Sequence, residues 1–131
     1  MTTFLLDSSV LIALTAAEHV HHQRAVAWAS DLSRFAVCPV TEGALVRFAV
    51  RLGARATEVQ QTLRLLRSRK GFEFWPDSIS YVDLDLGHVR GHAQVTDSYL
   101  AGLATSRGGM LATLDQDLAQ QFPESALLLP E

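Results

Sequence analysis

The sequence predicts an α/β/α sandwich around a mainly parallel sheet of about four to five strands. Short apolar runs rich in β-formers alternate with longer segments of helical periodicity. Nearly half of the 131 residues are apolar (48%), enough to bury a sizeable core. No repeat, low-complexity tract or linker divides the chain, so residues 1–131 read as one domain.

Residues 2–6 form the first strand, stopped by Asp7-Ser8-Ser9, which caps a helix starting near Ser9. A second helix covers about residues 19–33, with Val20, Ala27 and Leu32 partly buried. Residues 35–39 are a strand ended by Pro39, after which Thr41 caps a helix that Gly53 terminates. Thr57 opens a helix running to Lys70, with Val59, Leu63 and Leu66 on one face and arginines on the other. Residues 72–75 are a strand closed by Pro76, and 77–94 a loop with a helical turn or two. Thr96 caps an apolar helix ended by Gly108-Gly109. A buried strand (110–114), a short helix (115–121) and a last strand (126–130) complete the chain.

A single cysteine, Cys38, excludes a disulfide framework and any multi-cysteine zinc site, and fits a reducing compartment. The N-terminus lacks a basic start and a small-residue cleavage site. No apolar run reaches the roughly 18 residues of a membrane span. The expectation is a soluble cytoplasmic protein with no membrane partner.

The net charge of −3 conceals a segregation. Residues 1–45 carry −2, and residues 73–131 carry −7. Residues 46–72 carry +6, from Arg47, Arg51, Arg55, Arg64, Arg67, Arg69 and Lys70 against Glu58 alone. A basic middle between acidic ends suits a protein that holds a phosphate backbone beside a metal-binding carboxylate site. A solvated helical face explains the same charge pattern equally well.

The carboxylates carry more information. Asp7 ends the first strand and Asp115 the strand 110–114, while Glu42 and Asp97 fall in the first turns of the helices opened by Thr41 and Thr96. In a parallel sheet all four project from one edge, where ligands of α/β proteins bind. Each taken singly reads as a helix cap or first-turn acid. Four converging carboxylates repel one another and require a cation, and an all-oxygen site suits Mg²⁺ or Mn²⁺.

The segments FLLDSSVLIAL (4–14), VTEGALVRF (40–48), VTDSYLAGLA (95–104) and GGMLATLDQDL (108–118) together resemble the PIN-domain ribonucleases. The resemblance is closest to the VapC toxins of bacterial toxin–antitoxin pairs, and it runs from Phe4 to about Leu129. It implies a metal-dependent endoribonuclease that inhibits translation and growth, leaving 5′-phosphate and 3′-hydroxyl ends. It puts the acidic site on Asp7, Glu42, Asp97 and Asp115, with Ser9 and Thr113 at the accompanying hydroxyl positions. Asp117 falls close enough to assist through water, although capping or exposure accounts for it as simply. The resemblance further implies a VapB-like antitoxin and a homodimer that forms a heterotetramer or larger complex with it.

Within that reading Asp7 and Asp97 are the principal metal ligands, with Glu42 and Asp115 completing the set and Glu42 orienting the attacking water. Arg47, Arg51 and Arg55, at i+4 steps, form a candidate stripe for the RNA backbone. Trp28, Trp75 and Tyr99 read as core or packing residues rather than base-stacking ones, and Cys38 as core. His19, His21 and His22 lack an i, i+4 pair and read as a helix start; His88 and His92 read as loop contacts. The alternatives are a PIN nuclease of RNA processing and a catalytically silent RNA-binding module. A phosphotransfer domain is disfavoured, because Ser9 stands where a second aspartate is needed and Lys70 is the only lysine.

Overall fold

The computed structural model describes residues 1–131. Five strands, β1 (Phe4–Leu6), β2 (Phe35–Val37), β3 (Phe72–Phe74), β4 (Met110–Thr113) and β5 (Ala126–Leu128), form one sheet in the order β3-β2-β1-β4-β5. Every pairing is parallel. The chain steps outward from the central β1 to β2 and β3, then returns past β1 to β4 and β5. The strand order therefore reverses between β1 and β4, and the carboxyl ends of these two strands flank the crevice where open α/β sheets bind ligands.

Alternation along the strands divides the core into two layers. Leu5, Ala36 and Leu111 face α5 (Ala93–Ser106) and α6 (Gln116–Gln121), packing against Leu100, Leu103 and Leu118. Leu6, Phe35, Val37 and Ala112 face the opposite way. There they meet residues of α1 (Ser8–Thr15), α2 (His22–Ser30), α3 (Pro39–Arg51) and α4 (Ala56–Arg67), among them Val10, Leu11, Ala25, Leu45 and Leu66.

Several helix ends depart from the sequence expectation for identifiable reasons. The second helix is shorter than expected, beginning at His22 after a turn; Val20 is 85% exposed and Ala25 and Ala29, rather than Ala27, are buried. Helix α3 is capped by Cys38, not Thr41; Thr41 sits fully buried one turn in, its hydroxyl accepting from the Cys38 N–H at 3.2 Å. Helix α4 starts at Ala56, one residue before Thr57, and stops at Arg67. Helix α5 starts at Ala93, three residues before Thr96, with His92 at its cap position making no capping hydrogen bond. The loop 77–92 contains one helical turn, Tyr81–Asp83.

Two glycines set helix ends as expected. Gly53 (φ 98°) and Gly108 (φ 70°) adopt left-handed backbone after α3 and α5. The following residues close both helices in the same way, Ala54 N–H donating to the Ala49 carbonyl at 3.0 Å and Gly109 N–H to the Ala104 carbonyl at 2.9 Å. Gly71 (φ 86°) is tighter still, since a Cβ there would collide with the Ser33 carbonyl. Gly53→Ala, with no heavy atom within 4 Å of the new carbon, is expected to cost about 1–2 kcal/mol from backbone strain alone. Gly71→Ala adds a backbone clash and should be clearly more destabilising in urea titrations. Equal losses of stability at the two positions would contradict this difference.

Candidate active site

Asp7 is the N-cap of α1 and is only 4% exposed. Its Oδ1 accepts from the Val10 N–H at 2.9 Å and from the Ser9 hydroxyl at 2.6 Å, while Oδ2 accepts from the Thr113 hydroxyl. Both hydroxyls are themselves held by backbone N–H groups of the β4–α6 turn. Ser9 Oγ accepts from the Leu114 N–H at 3.1 Å, and Thr113 Oγ1 from the Asp115 N–H at 3.0 Å. One buried carboxylate thus ties the β1–α1 turn to the β4–α6 turn across the crevice.

Asp115 caps α6, its Oδ1 accepting from the Asp117 and Leu118 N–H groups at 2.9 and 3.3 Å. Asp117 is exposed and enters this network through its backbone. Asp97 lies beyond the first turn of α5, because that helix begins earlier than Thr96 would have it; the helix dipole contributes less to it than expected. It is half-buried, and no hydrogen bond stabilises its charge.

The electrostatics identify which acids form a group. Burial and then the charges of Asp115 and Asp7 push the Asp97 carboxyl up to about 6. Burial also raises Asp7, against the lowering effect of its Ser9, Thr113 and Val10 hydrogen bonds, with Asp115 adding to the rise. No lysine or arginine acts on either group. Glu42 stands in the first turn of α3, one strand further along the sheet. Burial raises its carboxyl too, but the neighbouring charge that acts on it is Arg67, which lowers it. The structure therefore brings together Asp7, Asp97 and Asp115 with Ser9 and Thr113, and leaves Glu42 on the flank. No three His, Cys, Asp or Glu side chains stand close enough to hold a metal ion as placed.

The remaining sequence candidates fall elsewhere. Arg47 and Arg51 are exposed on α3, but Arg55 belongs to the start of α4, so the left-handed Gly53 breaks the expected stripe. Trp75 and Tyr99 are core residues, and Trp28 packs edge-on against Phe4. Cys38 is buried. His22 Nδ1 lies 2.8 Å from the Ala13 carbonyl, and His19 Nδ1 accepts from the His21 N–H at 3.0 Å, so these histidines organise the α1–α2 turn. His88 contacts Ser98 and Phe122. Arg67 is the neighbour of Glu42 that the sequence pattern does not single out; its only signal is membership of the basic segment, and the α3–α4 hairpin brings it there.

Residues 4–121 match the PIN domain family. The chain is 49% identical over 130 residues to Ribonuclease VapC29 of Mycobacterium tuberculosis, covering 98% of this chain and 97% of that protein. It is 36% identical over 135 residues to Ribonuclease VapC38 of the same species, covering 95% and 96% respectively. The fold is similar to the crystal structure of M. tuberculosis VapC20, described as a Sarcin-Ricin loop cleaving toxin, with a TM-score of 0.69, 14% identity and 90% and 94% of the two chains covered. It is also similar to that of PAE2754 from Pyrobaculum aerophilum, with a TM-score of 0.56, 22% identity and 95% and 83% covered. The chain belongs to the VapC group of PIN-domain proteins. No helix is long and apolar enough to cross a membrane.

Thr113→Val keeps the shape of the buried site while removing the hydroxyl that Asp7 and the Asp115 N–H share. A hydrogen bond to a charged group contributes roughly 1.5–3 kcal/mol, so the variant is expected to lose about that much stability at neutral pH. The hydroxyl favours ionised Asp7, so the loss should shrink on acidification as Asp7 protonates. Wild-type melting at neutral pH would contradict the bridging role.

Proposed function

We propose that the protein is a Mg²⁺- or Mn²⁺-dependent endoribonuclease, the toxin of a VapBC-type pair, which cuts RNA and so inhibits translation and growth. The observation that carries this reading is the convergence of Asp7, Asp97 and Asp115 at the sheet's switch point with no cationic side chain acting on Asp7 or Asp97. A buried and a half-buried carboxylate with the charge of a third acting on both call for a cation, and a donor set of carboxylate oxygens fits a hard divalent one. Asp7, Asp97 and Asp115 would hold it, with Glu42 completing the set directly or through water. When bound, the metal supplies an acidified water and charge neutralisation at the phosphate.

The chain's own residues divide the work that remains. Asp7 is immobilised on both oxygens, so it fixes the position of the site relative to the sheet. Asp97, free of hydrogen bonds, can turn to meet a ligand. Asp115 has Oδ1 tied to the α6 backbone, which leaves Oδ2 free for a ligand. Glu42, whose proton affinity burial raises, is suited to orient the attacking water and take up its proton. The exposed Arg47, Arg51 and Arg55 add long-range attraction for a polyanion. The partner of this reading is a VapB-like antitoxin, whose basic side chains would compete with metal for the carboxylates, and the protein itself is a homodimer, assembling with antitoxin as a heterotetramer or larger complex.

Asp97→Asn is expected to abolish metal-dependent RNA cleavage and growth inhibition; cleavage in Mg²⁺ at near wild-type rate would refute the assignment. The same variant tests the electrostatics. A carboxyl whose folded pKa lies above its unfolded value stabilises the fold at low pH, and that contribution is lost as pH rises through the folded value, here about 6. Metal-free wild type should therefore lose stability between about pH 4 and pH 7 relative to Asp97→Asn. In excess Mn²⁺ the order should reverse, because the variant gains less from the ligand. Thermal melting in chelator and in metal decides it, and an Asn variant that melts lower in chelator and gains as much from metal makes Asp97 a structural residue.

A further inference from the structure

Beside Glu42 the protein forms a second small recess that belongs to α4 rather than to the acids. Gln60, Arg64 and Arg67 follow one another at i, i+4 and i+7 on that helix, which places them on one face, and with Glu42 and Leu63 they line a notch of about 170 Å³. The guanidinium hydrogen bonds of the protein come from Arg24 and Arg90, so Arg64 and Arg67 keep their donors free. The Arg67 guanidinium lies 5.8 Å from the centre of the Phe74 ring, at the carboxyl end of the edge strand β3, and that ring remains 41% exposed.

We propose that this notch is the subsite for the RNA phosphate adjoining the scissile one, held by Arg64 and Arg67, with Phe74 as the face on which the neighbouring base stacks. The inference rests on the ribonuclease reading and adds to it where the strand runs. Along the carboxyl edge of the sheet the order is Phe74 at β3, Glu42 at β2, Asp7 at β1 and Thr113 at β4. Neighbouring strands lie about 4.8 Å apart, so the β3 end is roughly 10 Å from the β1 end, a reach suited to an adjoining nucleotide. Glu42 offsets part of the charge of Arg67, but neither guanidinium makes a hydrogen bond in the protein, so the two planar forks are available to phosphate oxygens. Glu42, on the helix that follows β2, stands between β3 and the three-aspartate end in the order of the sheet. Cation–π contact with Phe74 orients Arg67, and an aromatic beside an arginine is the combination that binds single strands without reading their sequence.

The test pairs salt-dependent binding with cleavage kinetics, using the full chain and a fluorescent single-stranded RNA. In chelator, Arg64→Gln/Arg67→Gln should lower the log–log salt slope by about 1.4, or roughly 0.7 for each phosphate charge that is no longer neutralised. With Mn²⁺ the KM of Arg64→Gln alone, which leaves Arg67 beside Glu42, should rise several-fold with kcat little changed, as expected for an interaction made equally in the ground and transition states, and the double variant should raise KM further. Arg64→Lys/Arg67→Lys should restore the slope but only part of the affinity, since charge without the fork remains. Phe74→Leu should weaken binding and leave the slope unchanged. A wild type that binds and cleaves while the double Gln variant matches it in slope and KM overturns this subsite alone. A wild type that neither binds nor cleaves RNA overturns the ribonuclease reading beneath it.

Discussion

The buried carboxylate of Asp7 is the constraint on which the site depends. It is the N-cap of the first helix, the acceptor of two hydroxyls and the electrostatic neighbour of two further aspartates. A charge so deeply placed is expensive unless it is hydrogen-bonded, and the fold provides three donors. Two of those donors, Ser9 and Thr113, also accept from the backbone of the β4–α6 turn, so satisfying Asp7 sets the separation of the two strand ends. Asp115 is positioned by the same network through its N–H. The geometry of the crevice and the ionisation of its central acid are therefore one problem with one solution.

Much of this was legible in the residues. The glycines that end α3 and α5 and the Asp7 and Asp115 caps mark element boundaries by local chemistry that no tertiary contact overrides. The alternation of Leu5 and Leu6 suffices to assign strand faces. What was not legible depends on distant partners. The start of α5 carries no capping side chain, so Thr96 offers the nearest visible signal and misplaces Asp97 within its helix. Arg51 and Arg55 have helical spacing in sequence, yet the Gly53 turn puts them on different helices. The separation of Glu42 from the other acids follows from strand order, since β2 lies on the far side of β1 from β4.

That separation gives the carboxyl edge of the sheet a polarity. Three aspartates occupy the β1–β4 end, where burial raises the proton affinity of Asp7 and Asp97 and the charge of Asp115 adds to both. Toward β3 the character changes through Glu42, held between burial and Arg67, to guanidinium groups that make no hydrogen bond and a partly exposed ring. The segregation of charge along the chain, acidic ends around a basic middle, becomes in three dimensions a gradient along one edge. A polyanion crossing that edge meets positive charge on one side and clustered carboxylates on the other. Family membership sets the fold, and on the function proposed above this gradient is the feature by which the particular chain would position its substrate.

The central claim is that Asp7, Asp97 and Asp115 together hold a divalent cation. Crystals grown with Mn²⁺ and measured at a wavelength where manganese scatters anomalously test it without reliance on activity. The expected result is an anomalous peak bounded by these three carboxylates, with Asp7 still hydrogen-bonded to Ser9 and Thr113. A fully ordered site with no peak there, or manganese bound only elsewhere on the protein, would contradict it.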